Sequence, residues 1–263
     1  MRKYILGFFV YFFVTIPSYS NPTIHKIWIG ENLEYWSLEK KNVSFENCGM
    51  IFNNCKLIHK DTTFTIRKYF WKAGKIARQH EDYIYRILKL TNDTLIISPE
   101  NQEAARLINN RQTYTFTDKN NFYKDNLKFH KLFFSGHNPM TFSPKITLEI
   151  DSLGQIFVFS EPIPHFEKPN DLKGLYKGQL SNKQLADLIL LLKRSKLDML
   201  SGDLGIIIDG TYYNFKFHYD NKVIEGKGCN IPHINKPLFD FLRTIHKNIK
   251  LEKIEDNYEF NQF

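Results

Sequence analysis

Chemistry at neutral pH draws first on histidine and cysteine, and this chain has nine of the one and three of the other. A zinc hydrolase commonly sets His-x-x-x-His on one helical face, and no two of these histidines stand four apart. His130 and His137, seven residues apart across an expected strand and loop, read better as exposed or hydrogen-bonded side chains than as a shared site. The stretch "QHED", Gln79 to Asp82, gathers an imidazole and two carboxylates. Neighbours on a strand point to opposite faces, so it is expected to be a polar loop before a strand. A Gly-x-Ser-x-Gly elbow and a Gly-x4-Gly-Lys phosphate loop are both absent. "SGDLGIIIDG" holds Asp203 and Asp209 without the alternating oxygens and closing Glu of a calcium loop. "GKGCN", Gly226 to Asn230, could form a backbone anion nest, but no helix start follows it, so a flexible turn is expected. The sequence therefore calls for no catalytic residue, no metal and no cofactor.

Composition and the N-terminus set where such a chain would work. "MRKYILGFFVYFFVTIPSYS" places Arg2 and Lys3 before an apolar run and ends in small residues, the pattern of a secretory leader cleaved after Ser20. The run is shorter than the roughly 20 apolar residues of a spanning helix, so no membrane span is expected after cleavage. Without Arg2 and Lys3 the 36 basic residues fall to 34 against 28 acids, a formal +6 spread without a long run. That spacing argues against a nucleic-acid partner and leaves a general attraction to anionic lipids or glycans. The expected location is the periplasm or the exterior. There Cys48 and Cys55, flanking "GMIFNN", either bridge a small loop or remain two half-buried thiols.

The elements that would position any site are strand-like in the first half. "TTFTIRKYFW" sets Phe64, Ile66 and Lys68 against Thr65, Arg67 and Tyr69. "YRILKLTNDTLIIS" reads as a hairpin turning at Asn92-Asp93, with Tyr83, Tyr85 and Ile87 on one face and Ile84, Arg86, Leu88 and Leu90 on the other. A short helix is expected to begin at Pro99 in "PENQEAARLI", and "RQTYTFTD" returns to alternation. Strands at this spacing suggest a small barrel or sandwich. Through "IWIGENLEYW" and "YRILKLTNDTLIIS", residues 24 to 118 resemble the lipocalin-like domains of exported bacterial proteins. That family usually has glycine two residues before its first tryptophan, where this chain has Lys26 before Trp28. The resemblance implies an antiparallel barrel enclosing a small apolar ligand, with Phe64, Ile66, Tyr83 and Tyr85 as its lining. A barrel filled by its own side chains is the competing expectation.

The polar stretch "DKNNFYKDN" divides the halves. Beyond it, "LKFHKLFFSG" and "PKITLEIDSLGQIFVFS" read as strands. "SNKQLADLILLLKRSK" is a helix with Ser181 and Gln184 as a capping box and an apolar stripe of Leu185, Leu188, Ile189 and Leu192. "TYYNFKFHYDNKVIEGKG" is a strand pair with Tyr213, Phe215, Phe217 and Tyr219 on one face. A second helix follows in "NKPLFDFLRTIHKN", capped by Asn235, with Leu238, Phe241, Leu242 and Ile245 inward. This order implies a sheet covered on one side by helices. Residues 127 to 249 are similar to a commonly exported bacterial domain family of unknown function. Many of its members carry a cysteine pair where this chain has "SGHNPM", so no redox or metal role carries over.

The fold expected is therefore two domains: an N-terminal all-β, lipocalin-like barrel and a C-terminal α+β domain with an antiparallel sheet and two amphipathic helices. The segments are a leader at 1–20, the β domain at 21–118, a linker and first strand at 119–143, the α+β domain at 144–250 and a polar tail at 251–263. The function expected is non-enzymatic binding of an apolar small molecule or an envelope partner. The alternative is a hydrolase acting on envelope material, which would show as a histidine and a carboxylate converging in a cleft with shifted pKa values.

Overall fold

A computed structural model describes residues 22–40, 42–47, 50–74, 77–121, 123–138, 144–162, 172–206, 210–255 and 258–260. The expected leader, Cys48 and Asp209 lie outside these residues. The fold is mostly antiparallel β with few helices, arranged as two sheets that each carry a core.

The first sheet takes β1 (Ile27–Gly30), β2 (Tyr35–Glu39), β3 (Asn42–Asn47), β4 (Met50–Phe52), β5 (Cys55–Lys60), β6 (Thr63–Phe70), β7 (Gln79–Leu90), β8 (Thr94–Pro99) and β9 (Tyr114–Asp118). Their spatial order is β4-β3-β2-β1-β9-β8-β7-β6-β5. Only Asn53 and Asn54 join β4 to β5, so the two edges of the sheet lie within about 10 Å of each other there. β3 also passes beside β5, and the sheet is nearly closed and barrel-like. Period-two alternation sends Trp28, Trp36, Phe45, Phe64, Tyr85 and Phe116 inward, all fully buried. The short helix α1 (Gln102–Leu107) adds Ala104 to this core, and Ile108 just after it packs there too.

The hairpin over β7 and β8 forms as its sequence implies, with a register shift between Ile87 and Lys89. That bulge breaks the alternation, so Leu88 is exposed and Leu90 packs against the core instead of sharing the face of Ile84 and Arg86. α1 departs from its expected start. Pro99 belongs to β8, and Asn101 is the cap: its Oδ1 accepts from the N–H groups of Ala104 and Ile84, both at 3.1 Å, and its Nδ2 donates to the Asp82 carbonyl.

The second sheet takes β10 (Phe129–His137), β11 (Lys145–Asp151), β12 (Gln155–Glu161), β13 (Gly174–Gln179), β14 (Tyr212–Tyr219), β15 (Lys222–Gly228) and β16 (Leu251–Lys253), in the order β15-β14-β10-β11-β12-β13-β16. α2 (Asn182–Arg194) and α3 (Lys236–Thr244) supply buried residues to the core on one face of this sheet. The Ser181–Gln184 capping box is present on α2. Leu188 and Leu192 are buried there, with Leu185 and Ile189 packed beside them.

On α3, Phe239 is the central residue that the expected stripe omitted. It meets Phe134, Tyr213, Phe215 and Phe217 edge-on at 5.3–6.2 Å. Asn235 stands at the cap position but makes no capping bond. Its Nδ2 reaches across to the Ser195 carbonyl at the end of α2, 2.5 Å away. The far face of this sheet is also covered in part. The segment from 251 onward, expected as a polar tail, supplies edge strand β16 and then lays Tyr258 flat on Phe157, with ring centroids 3.9 Å apart and planes at 12°. The Tyr258 hydroxyl donates to Glu149, which also pairs with Lys131.

Candidate binding cleft at the junction of the two sheets

β1 and β2 turn their outer face, carrying Ile27, Ile29 and Tyr35, toward the loop before α3. Ile29, Leu33 and Ile234 form a small buried cluster there. Apolar residues on the outer face of a barrel need a cover, and the Ile231–Ile234 loop supplies it. His233 in that loop meets the Tyr35 ring edge-on at 4.3 Å. The Lys119 ammonium lies 5.6 Å from the same ring.

On β3, Val43 and Phe45 point into the barrel and Glu46 points out, into this junction. Glu46 is only 8% exposed. Its carboxylate accepts the backbone N–H of Tyr35 at 3.2 Å from one half and the backbone N–H of His233 from the other. Burial pushes its pKa up to about 6, against the pull of those two donors, and the nearby Glu34 charge adds to the rise. The His233 imidazole is held below its ordinary value, first by burial and then by Lys119 and Lys236. Glu46 and His233 thus line one cleft of about 370 Å³, which has Tyr213, Ile231 and Phe239 as apolar wall and Lys236 and Asp240 as charged rim.

The bonds matter for chemistry. Glu46 touches His233 through the backbone N–H, while the imidazole is packed on Tyr35. A general acid–base pair requires the ring nitrogen and the carboxylate within hydrogen-bond reach of one another or of a shared substrate. What the arrangement does is clasp the halves with a carboxyl that can be neutral or charged near neutral pH, beside a concave apolar wall.

The comparisons with known proteins decide nothing further. No family model matches the chain, and no curated protein and no solved structure matches it.

The residues proposed from sequence lie elsewhere. Phe64, Ile66, Tyr83 and Tyr85 do come together, inside the barrel. Phe64 stacks on Tyr85 at 5.3 Å, Tyr85 meets Trp36 at 5.4 Å and Tyr83 meets Phe45 at 5.3 Å. With Phe64, Ile66 and Tyr85 all at or below 1% exposed, these side chains are packed by their neighbours. Cys55 has its Sγ 3.5 Å from the Phe52 carbonyl and its pKa pushed up to about 11, chiefly by burial. The Cys48–Cys55 pairing falls outside the described residues because Cys48 does.

"QHED" is not a loop. It opens β7, where Asp82 forms a two-point bond with Arg67 at 2.7 and 2.8 Å and Glu81 accepts from the Tyr83 hydroxyl. His130 and His137 sit at opposite ends of β10, and His130 bonds the Asp220 carbonyl. Among the described residues no three His, Cys, Asp or Glu side chains gather as a metal site would need.

"GKGCN" is not a flexible turn either. The strip Gly202–Gly205 lies on the outer edge of β15, held by Lys227 N–H to Gly202 O and Leu204 N–H to Lys227 O, both 2.9 Å. A Cβ on Gly226 would meet the Gly202 carbonyl at 2.6 Å, and Gly228 has φ +132°. Both glycines serve this close backbone approach.

Sequence reasoning missed Glu46 and His233. The available signal was the apolar outer face of the first strands, Ile27, Ile29 and Tyr35, which has no reason to exist unless something covers it.

Proposed function

We propose that this is an exported, non-enzymatic binding protein of two domains, a lipocalin-like barrel and an α+β domain, with its ligand site in the junction cleft and not in the barrel. The leader-like N-terminus supports export, and the periplasm or exterior as the place of work. The observation that carries the placement is the contrast between two interiors. The barrel around Phe64 and Tyr85 is packed by its own rings, whereas the junction holds about 370 Å³ bounded by both halves. That size falls within the roughly 300–1,000 Å³ of small-molecule sites. The wall of Tyr213, Ile231 and Phe239 suits an apolar body, and Glu46 and Lys236 suit a polar end.

Native mass spectrometry of the protein from its own envelope, followed by organic extraction, tests this. A stoichiometric small molecule that is lost in the cleft-filling variant Ile231→Trp, and kept when Ile66→Val loosens the barrel, supports the reading. A molecule lost in Ile66→Val and kept in Ile231→Trp returns the site to the barrel.

The second reading is a hydrolase acting on envelope material. It is favoured by the Glu46 carboxyl, its pKa pushed up to about 6 by burial, and the His233 imidazole, held below its ordinary value by burial, lining the same cleft. Turnover of envelope glycan or peptide that disappears in Glu46→Gln and falls off as pH drops below about 6 would establish it.

A further inference from the structure

β6 and β7 remain paired as far as Phe70 and Gln79, so their hairpin carries its connecting segment on a stiff two-stranded base. The Tyr69 N–H bonds the Asn54 carbonyl at 2.9 Å and ties that base to the next strand. At its end Trp71 is 69% exposed and Phe70 37% exposed. The other two tryptophans of the chain, Trp28 and Trp36, are at or below 1%. Lys72 and Arg78 flank the aromatic pair, both exposed, and neither forms an ion pair among the described residues. The acids nearby are already engaged, Asp82 by Arg67 and Glu81 by the Tyr83 hydroxyl. Gly74, with φ +76°, stands in open space: a Cβ added there would meet nothing within 4 Å.

We infer that this tip, Phe70, Trp71, Lys72 and Arg78, docks the protein on an anionic lipid surface. An indole offers an apolar body and an N–H, the combination that settles at headgroup depth, and flanking cations meet anionic headgroups. The small apolar area selects a membrane over a protein. A stable protein partner needs roughly 1,200 Å² or more of matched surface, which the exposed side chains of Phe70 and Trp71 do not supply, whereas a fluid interface closes around them. The formal charge, +8 for the whole chain with histidines neutral and +6 without Arg2 and Lys3 of the leader-like segment, draws the molecule to such a surface, and the tip then fixes which end arrives.

Trp71 reports its own environment. Full-chain protein is mixed with vesicles of phosphatidylglycerol and phosphatidylcholine in equal parts, or of phosphatidylcholine alone, and followed by flotation and tryptophan emission. With the anionic vesicles the emission shifts to the blue and the protein floats, and high salt weakens both. Trp71→Ala lowers the partition coefficient about tenfold, and Lys72→Glu or Arg78→Glu lowers it about fivefold each. Trp71→Phe keeps flotation and loses the shift. Binding that is equal in wild type and Trp71→Ala overturns the inference, because other surface then carries it. Absence of flotation with unchanged emission overturns it as well. So does retention on an immobilised acidic polysaccharide in place of the vesicles, which would assign the tip to a glycan.

Discussion

Replacing Glu46 by glutamine changes how stability depends on pH, and the structure gives both sign and size. The carboxyl has its pKa raised from 4.5 to about 6, so the folded state holds its proton more tightly than the unfolded chain does. A raised acid contributes its stability in full below the unfolded pKa and loses it as pH rises through the folded one. The shift is about 1.5 units, and at about 1.4 kcal/mol per unit the wild type gives up about 2 kcal/mol between pH 4.5 and pH 7 from this group. Glu46 is 8% exposed, so solvent screening takes little of that. The substituted amide is neutral throughout, and any loss from its surplus N–H is the same at every pH. The quantity to measure is the difference in unfolding free energy between Glu46→Gln and wild type, from urea titrations across that range. It is expected to rise by about 2 kcal/mol in favour of the variant as pH goes up. A difference flat with pH, or one that falls, would refute the reasoning and mean that the two backbone donors outweigh burial.

Further expectations follow from other buried polar groups and from one glycine. His246 is buried with its pKa pushed down to about 4, first by burial and then by Lys247, so stability held above pH 6.5 is lost as pH falls toward 4. His246→Leu is expected to abolish that acid sensitivity, worth about 3 kcal/mol, in acid titrations followed by circular dichroism. Tyr258→Ala strips the ring from Phe157 and one partner from the buried Glu149, with an expected loss of about 2 kcal/mol in thermal unfolding. Tyr258→Phe retains the stack and is expected to lose about half of that. Gly228→Ala, at φ +132° against the Gly205 carbonyl, is expected to cost about 2 kcal/mol or more and to speed hydrogen exchange at the Lys227 N–H.

Much of the fold was legible because it rests on local rules. The β7–β8 hairpin, the alternating inward rings of β14 and the Ser181 capping box each follow from residues within a few positions of one another. The errors mark places where distant chain decides. Asn235 looked like a helix cap, but a neighbouring helix end takes its amide. "QHED" looked like a polar loop because Arg67, the partner of Asp82, cannot be assigned until β6 and β7 are aligned, while the Tyr83 hydroxyl that meets Glu81 lies two residues along the same strand. Phe239 was missed because a helix covering a sheet needs a wider apolar face than one stripe. The junction was illegible for the same reason. Glu46 and His233 lie 187 positions apart, and in the sequence only the apolar outer face of β1 and β2 signals that something must meet there.

The seam that joins the two halves of the first sheet, β4 to β1 and β9 to β5, sets a timetable for folding. β5 to β8 are successive hairpins, whose pairing needs only short loops. The β1–β9 ladder, and the Lys26–Asp118 ion pair beside it, join residues up to 92 positions apart. Closing so long a loop costs chain entropy before any contact repays it, so the hairpins are expected to form first and the seam last. β1 emerges early from any N-to-C synthesis or export and must then wait for β9, its buried Trp28 without a core in the interval. Mutations along β1 are therefore expected to leave the folding rate nearly untouched and to quicken unfolding, while those in the β6–β7 hairpin slow folding itself.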